Sequence, residues 1–503
     1  MVRLDNVNLG EMNMTGFYTA HLLQKTKPVQ TFLLRAFIVL FLTFFARSAV
    51  AQPACSLLCN PNQNTPCGTS CSFIDQFGNP SFSFCGSAQF PFCFVPKTPA
   101  SPYSTASHLS SFLDPTGATT GAPHGQAIFY RGTDQHIHHI YSNTTWFTDD
   151  PTAITSAPLA VSGSSISSFL DPSGLTTGAP HGQAIFYVGT DQRIYHLYSN
   201  TAWFADSPTL MTGAPLAVSG SPVTSFLDAT GVTTGGMPGQ AIFYIGIDQH
   251  VHHFFTDTTW HTDDPTAMSG APLAGTGSSL CSFLDATGKT TGTPGQAIFY
   301  IGTDQHVHHI YSNTSWHNDD PTAMTGAPLA AVGSSLSCFI DPTGATTGAP
   351  GGQSIFYIGT DQNIYHLYSN TAWHADAPTI MTGAPLAAVG SSLSSFLDPT
   401  GVTTGAPAGQ SIFYVAADQH VHHIYSNTTW HTDDPTAMTG ATLATVGSPL
   451  SSFLDPTGLT TGTPAGQSIF YIGTDQHVHH IYSNTTWHTD DPTAMTGATL
   501  ATF

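Results

Sequence analysis

Charge is what this sequence lacks most: Asp, Glu, Lys and Arg make up only 8% of its 503 residues, against roughly 25% in an average soluble protein. Glu11 is the sole glutamate, so a glutamate acid–base pair is excluded from the rest of the chain. Lys and Arg number nine against 30 acids, a formal charge of −21. Such a surface repels phosphate, which excludes nucleic acid and anionic membranes as natural partners. No window keeps a 3.6-residue apolar period, so helices are not the building material. The apolar run Ala36–Ala46 is about half of the ~20 residues a membrane-spanning helix needs, so membrane insertion is not expected. There is no G-x-S-x-G motif and no sialidase-type Asp box.

What is present is an apolar content of 40%, with 47 glycines and 35 prolines, enough for a core cut by many turns. Arg35 precedes the apolar run, and Ala49-Val50-Ala51 has the small-x-small form of a cleavage site, so residues 1–51 are expected to be a signal peptide and the protein to be secreted. Initiation at Met12 or Met14 would shorten that leader. Export leaves four basic residues, Lys97, Arg131, Arg193 and Lys289, against 28 aspartates. Residues 52–93 hold Cys55, Cys59, Cys67, Cys71, Cys85 and Cys93, read as a disulfide-rich module, with a zinc knuckle as the lesser alternative. Residues 94–108, rich in Pro, Ser and Thr, read as a linker. Cys281 and Cys338 fall at non-equivalent positions of the following region and read as isolated buried thiols.

Residues 109–503 are a sevenfold tandem repeat. The seven tryptophans mark it: Trp146, Trp203, Trp260, Trp316, Trp373, Trp430 and Trp487, spaced 57 residues apart except for one step of 56. Within the sixth unit, short strands are read at Leu393–Leu397, Gln410–Val415 and Val421–Tyr425, with a fourth starting at Thr429. The stretch from Asp433 to Ser448, rich in Pro, Gly and Ala, is read as the connection onward, and the repeats as all-β. Strands two and three are apolar on both faces, which calls for sheets stacked on both sides. Seven such sheets without polar capping units predict an all-β, seven-bladed propeller of four-stranded repeats.

The motif D-Q-x-[IV]-[HY]-H recurs in every unit, and its last histidine never changes: His139, His196, His253, His309, His366, His423 and His480. It is either a buried tie between blades or a donor and acceptor in a ligand pocket. Tyr195 and Tyr365 replace the preceding histidine in two units, which argues against a repeated metal centre; no metal and no cofactor are expected. The residue three before the invariant histidine varies most (His136, Arg193, His250, His306, Asn363, His420, His477), which suggests exposure. Tryptophan is either core filling or a platform for the C–H face of a sugar. The aspartate three residues after it closes a turn or accepts sugar hydroxyls, and the second acid after that reads as solvated. Near-identical polar residues in seven copies leave no unique constellation for catalysis, so an enzyme is not expected.

The order F-[LI]-D-x-[TS]-G, Q-[AS]-I-F-Y, D-Q-x-[IV]-[HY]-H-x-[YF], W-x-x-D and G-A-P resembles the blades of bacterial seven-bladed lectins of the Photorhabdus type and, more distantly, fungal Aleuria-type fucose lectins. The resemblance covers about residues 105–503. It implies a multivalent carbohydrate-binding protein whose partners are glycans on cell surfaces or glycoproteins, with fucose or related sugars held between adjacent blades. Carried over by motif position, the site residues are the seven tryptophans, the seven invariant histidines, and the aromatics two residues after them: Tyr141, Tyr198, Phe255, Tyr311, Tyr368, Tyr425 and Tyr482. The fungal family's arginine–glutamate pair for fucose hydroxyls has no counterpart in the repeats. The alternatives are an adhesive surface module that binds proteins, and histidine-based metal binding. No feature of the sequence bears on oligomeric state.

Overall fold

The structure, a computed structural model, describes residues 109–502 apart from scattered loop and turn positions, together with two strands further upstream. Residues 1–97 and 98–503 are separate compact units. In the first, Ser70–Ile74 pairs antiparallel with Pro80–Phe84. The signal peptide, the pairing of the six upstream cysteines and the linker lie outside the described residues.

The second unit is a propeller of seven four-stranded antiparallel sheets, each built from four consecutive strands. In blade 6 these are Leu393–Asp398, Gly409–Val415, Val421–Ser426 and Trp430–Asp433. The second strand is buried along its whole length in every blade, because neighbouring sheets cover both of its faces. At the interface of blades 1 and 2, Ala127 and Phe129 pack against Ile185, Tyr187 and Leu197. The Tyr187 hydroxyl donates to the Pro158 carbonyl at 2.6 Å, so that even the polar end of this core residue is paired.

The first strands neighbour one another around the axis, and Leu450–Asp455 of blade 7 meets Ser110–Asp114 of blade 1, which closes the ring. The segment after each blade also bridges to the next, Ala160 to Gly189 for example, and Ala501 to Gly132 repeats this bridge between the last blade and the first. Thr133 N–H donates to the Leu500 carbonyl at 2.9 Å. Closure leaves no sheet stack to cap, as the sequence predicts.

Two sequence readings need correction. The repeats are not built of strands alone: the connection after the fourth strand carries a five-residue helix in each blade, Pro435–Thr439 in blade 6. Its signals are local. Asp434 accepts from Ala437 N–H, Pro435 begins the first turn, and Gly440 ends it at φ 66°. One turn is too short to leave a helical period in the sequence.

Cys281 and Cys338 are not isolated thiols but a disulfide between blades 4 and 5. Around the axis, one side chain of each first strand meets the next blade's side chain one position further along. Six of the seven meetings are hydroxyl pairs, such as Ser167 with Ser225 at 2.8 Å, Ser394 with Ser452 at 2.8 Å and Ser451 with Ser111 at 2.7 Å. The seventh meeting is the disulfide. The one-residue offset that makes the two cysteines look unrelated is the stagger of this ring.

Candidate functional site

The motif histidines, aspartates and tryptophans converge between adjacent blades. At the interface of blades 3 and 4, His253 Nδ1 lies 3.0 Å from Asp263 Oδ1, and the indole N–H of Trp316 donates to Asp263 Oδ2 at 3.1 Å. The tryptophan therefore pairs with the aspartate of the preceding blade, not with the one three residues after it. The same tie runs from Trp203 to Asp149 at 3.1 Å and, across the ring closure, from Trp146 to Asp490 at 3.4 Å. The invariant aspartate is thus neither a mere turn closer nor free for a ligand on both oxygens.

His253 is sandwiched in a column of rings. Phe243 stacks at 4.4 Å on one side, Phe255 at 5.0 Å on the other, and Trp316 meets it edge-on at 5.7 Å. In the other blades Tyr141, Tyr198, Tyr311, Tyr368, Tyr425 and Tyr482 occupy the place of Phe255. The column continues outward to the residue after tryptophan, His261 beside Phe255. Alternation along the third strand puts the histidine and the aromatic two residues later on one face, as the motif spacing requires.

Burial by itself would raise the carboxyl pKa of Asp149 and Asp263, but the bonds from histidine and tryptophan outweigh it and hold both below the ordinary carboxylate value. A depressed pKa in the folded state stabilises the fold above the unfolded value and ceases to do so as pH falls through the folded one. These ties should therefore contribute fully at neutral pH and be lost below about pH 4. Thermal unfolding scanned from pH 7 to 3 should show a fall confined to the acid end. Asp263→Asn should make that fall shallower.

A cavity of about 350 Å³ opens beside this tie, lined by His253, Phe255 and Met268 of blade 3 and by Gln296, Asn313 and Trp316 of blade 4. Its volume lies within the range of about 300–1,000 Å³ usual for small-molecule sites. The opening on the axis, lined by Ser278, Ser334 and Ser391 among others, holds only about 50 Å³, room for a water or two.

Gln296 was not among the residues singled out by the sequence. It is 2% exposed, and its Oε1 has no hydrogen-bond partner. His253 Nε2 is also buried and unpartnered. Both conditions recur at all seven equivalents, from Gln126 and His139 to Gln467 and His480. Buried polar atoms without partners are costly and call for a reason. The signal for glutamine was its invariance at the head of the otherwise largely apolar Q-[AS]-I-F-Y strand. A second missed group is apolar: the fourth residue of each short helix, Met268 or its equivalent, is 57–62% exposed, from Ile154 to Met495.

The two variable groups also have different surroundings from those expected. His136 is half-buried rather than free, and its Nδ1 lies 2.6 Å from Asp150 Oδ2. Asp150, read as solvated, also caps the helix by accepting from Ala153 N–H.

No protein-family model matches the sequence, and no curated protein does. Among solved structures, the BP39L lectin from Burkholderia pseudomallei superposes with a TM-score of 0.57 at 14% identity, over 79% of this chain and all of that one. The Aleuria aurantia lectin gives 0.43 at 11% identity, over 65% of this chain and 95% of that one. AofleA from Arthrobotrys oligospora gives 0.42 at 12%, over 65% and 86%. The chain thus shares the β-propeller fold of the Burkholderia pseudomallei lectin over that protein's entire length.

Proposed function

We propose that this protein is a secreted, multivalent lectin that binds neutral sugars in the clefts between adjacent blades. The observation that carries the reading is a cavity lined by Gln296 and His253, each with a buried polar atom that lacks a partner (Oε1 and Nε2), and by aromatic and methionine walls. A hexose or deoxyhexose matches such a lining. Its hydroxyls can donate to glutamine and bond to imidazole, while a C–H face or methyl group lies against Phe255, Met268 and the indole edge. The fold shared with the Burkholderia lectin supports the same reading.

Charge narrows the ligand. With a formal charge of −21, the surface disfavours sialylated and sulfated glycans. Single sites of this kind are expected to bind weakly. Repetition on a rigid ring would raise avidity for dense glycans without any new contact. Neither a catalytic role nor a cofactor enters this reading, because the same polar set repeats at every interface.

Purified protein on a glycan array is expected to bind neutral, fucose-type or related terminal sugars and to leave sialylated and sulfated ones unbound. Absence of signal at high protein density, or binding confined to anionic glycans, would sink the proposal.

A further inference from the structure

Positions that vary from blade to blade, and that stand apart in the sequence, meet at one place in the fold. At the turn between the second and third strands of blade 1, His138 Nε2 lies 3.0 Å from Asp134 Oδ1, and His136 Nδ1 lies 2.6 Å from Asp150 Oδ2. The same two histidines and two aspartates recur in blade 3 (Asp248, His250, His252, Asp264), with distances of 3.0 and 2.7 Å. They recur in blade 4 (Asp304, His306, His308, Asp320), blade 6 (Asp418, His420, His422, Asp434) and blade 7 (Asp475, His477, His479, Asp491). In blades 6 and 7, one donor atom from each of the four residues lies within 4.8 Å of all the others; in blade 1 this holds for Asp134, His136 and Asp150, in blade 4 for Asp304, His308 and Asp320, and in blade 3 the four residues stand as two separate pairs.

Blades 2 and 5 lose the set together. Arg193, Tyr195 and Ser207 replace both histidines and the second aspartate in blade 2, and Asn363, Tyr365 and Ala377 replace them in blade 5. The remaining aspartate is then satisfied internally. Asp191 accepts from Arg193 at 2.8 Å and from Tyr195 at 2.7 Å, and Asp361 accepts from Asn363 at 2.9 Å and from Tyr365 at 2.8 Å. Solvated or separately structural residues would vary one by one. Three positions that change as a unit share one task. The tyrosines of blades 2 and 5 therefore argue against a metal in those two blades only.

Electrostatics points the same way. Where the histidines are present, two carboxylates stand beside two imidazoles; where they are absent, one carboxylate remains, held by an arginine and a tyrosine in blade 2 and by an asparagine and a tyrosine in blade 5. A divalent cation supplies the positive charge that the five complete sets lack.

We propose that blades 1, 3, 4, 6 and 7 each bind one divalent transition-metal ion of the zinc type through this His₂Asp₂ set. Zinc takes imidazole nitrogen and carboxylate oxygen at about 2.0–2.2 Å in a tetrahedron, which places ligands about 3.3 Å apart. Donor separations include 2.6 Å for His136–Asp150, 3.0 Å for His138–Asp134 and 3.9 Å for His422–Asp434, and all stay within 4.8 Å in blades 6 and 7, so side-chain rotation is enough to bring the four donors onto one ion there. Imidazole donors favour such ions over calcium or magnesium. Each histidine turns the lone pair of its carboxylate-facing nitrogen to the metal and keeps its one proton on the other ring nitrogen. The second histidine is already oriented, since Tyr130 stacks on His138 at 5.5 Å and Tyr244 on His252 at 5.4 Å. Access is open, because Asp418 is 45% exposed while His422 is 5% exposed beneath it. The set lies at the strand 2–3 turn, at the opposite end of the sheet from the glycan cleft, so it is independent of the proposed lectin function.

The test is titration of the oxidised full-length protein, after chelator treatment, with Zn²⁺ by calorimetry and with Co²⁺ by visible absorption. The expected result is five saturable equivalents per chain and the intense Co²⁺ bands of tetrahedral coordination. His420→Asn combined with His422→Tyr and Asp434→Ala rewrites blade 6 as blade 5, whose own fold accommodates those residues; it should remove one equivalent and leave glycan binding unchanged. No saturable uptake of either ion, or an equal uptake by the parent and this variant, overturns the proposal.

Discussion

Trp316→Ala is expected to lower the stability of the propeller by about 3–5 kcal/mol, the usual cost of truncating a buried tryptophan. Trp316 is 9% exposed, meets Phe243 of the preceding blade edge-on at 6.5 Å, and belongs to the core cluster that joins Ile298, Tyr300 and Ile310 of its own blade to Phe243 and Ile245 of the preceding one. Its loss removes both the apolar filling of that interface and the donor to Asp263. Trp316→Phe separates the two contributions. It keeps most of the apolar area and loses the N–H, so the expected cost is about 1–3 kcal/mol, that of a carboxylate left short of one donor. Denaturant unfolding followed by tryptophan fluorescence measures both, and equal stability of parent and Trp316→Ala would contradict the inter-blade tie. The glycan prediction is local: either variant should abolish one cleft and leave the affinity of the others unchanged.

The second large effect lies on the axis. Cys281→Ser with Cys338→Ser should destabilise the ring by about 2–4 kcal/mol, the usual contribution of a disulfide, less about 1 kcal/mol returned by the hydroxyl pair that the two serines can form. That return is expected because six other interfaces already carry such pairs, Ser337 with Ser395 at 2.7 Å among them. Substitution is preferred to reduction because a reductant would also reach the upstream cysteines. A free thiol at Cys281 in the untreated protein, detected by alkylation and mass spectrometry, would contradict the bond.

The repeat made the fold legible. Seven tryptophans at a fixed spacing, strands apolar on both faces and the lack of capping units led to a closed ring of sheets, because each feature depends only on local pattern and on burial. The five-residue helices escaped because one turn leaves no period, although in blade 6 Asp434-Pro435 ahead and Gly440 behind carry the cap signals. The disulfide escaped because strand stagger between blades is a three-dimensional quantity. Of the site, the motif spacing brought out histidine, its following aromatic and tryptophan. It did not show that tryptophan serves the aspartate of the neighbouring blade, nor that Gln296 lines the cleft and has a buried oxygen without a partner. Reading the variable histidines one position at a time also hid their coupling to Asp150 and its equivalents, which appears only when strand turn and helix cap are seen together.

The central claim is that sugars occupy the inter-blade clefts, and a co-crystal structure with methyl fucoside and a small panel of neutral monosaccharides tests it most directly. The account predicts a sugar between blades 3 and 4 and at equivalent interfaces, with hydroxyls within hydrogen-bonding distance of Gln296 Oε1 and His253 Nε2 and an apolar face against Phe255 and Met268. Sugar bound at the axial opening or on the outer surface, or clefts left without sugar at saturating concentration, would contradict it.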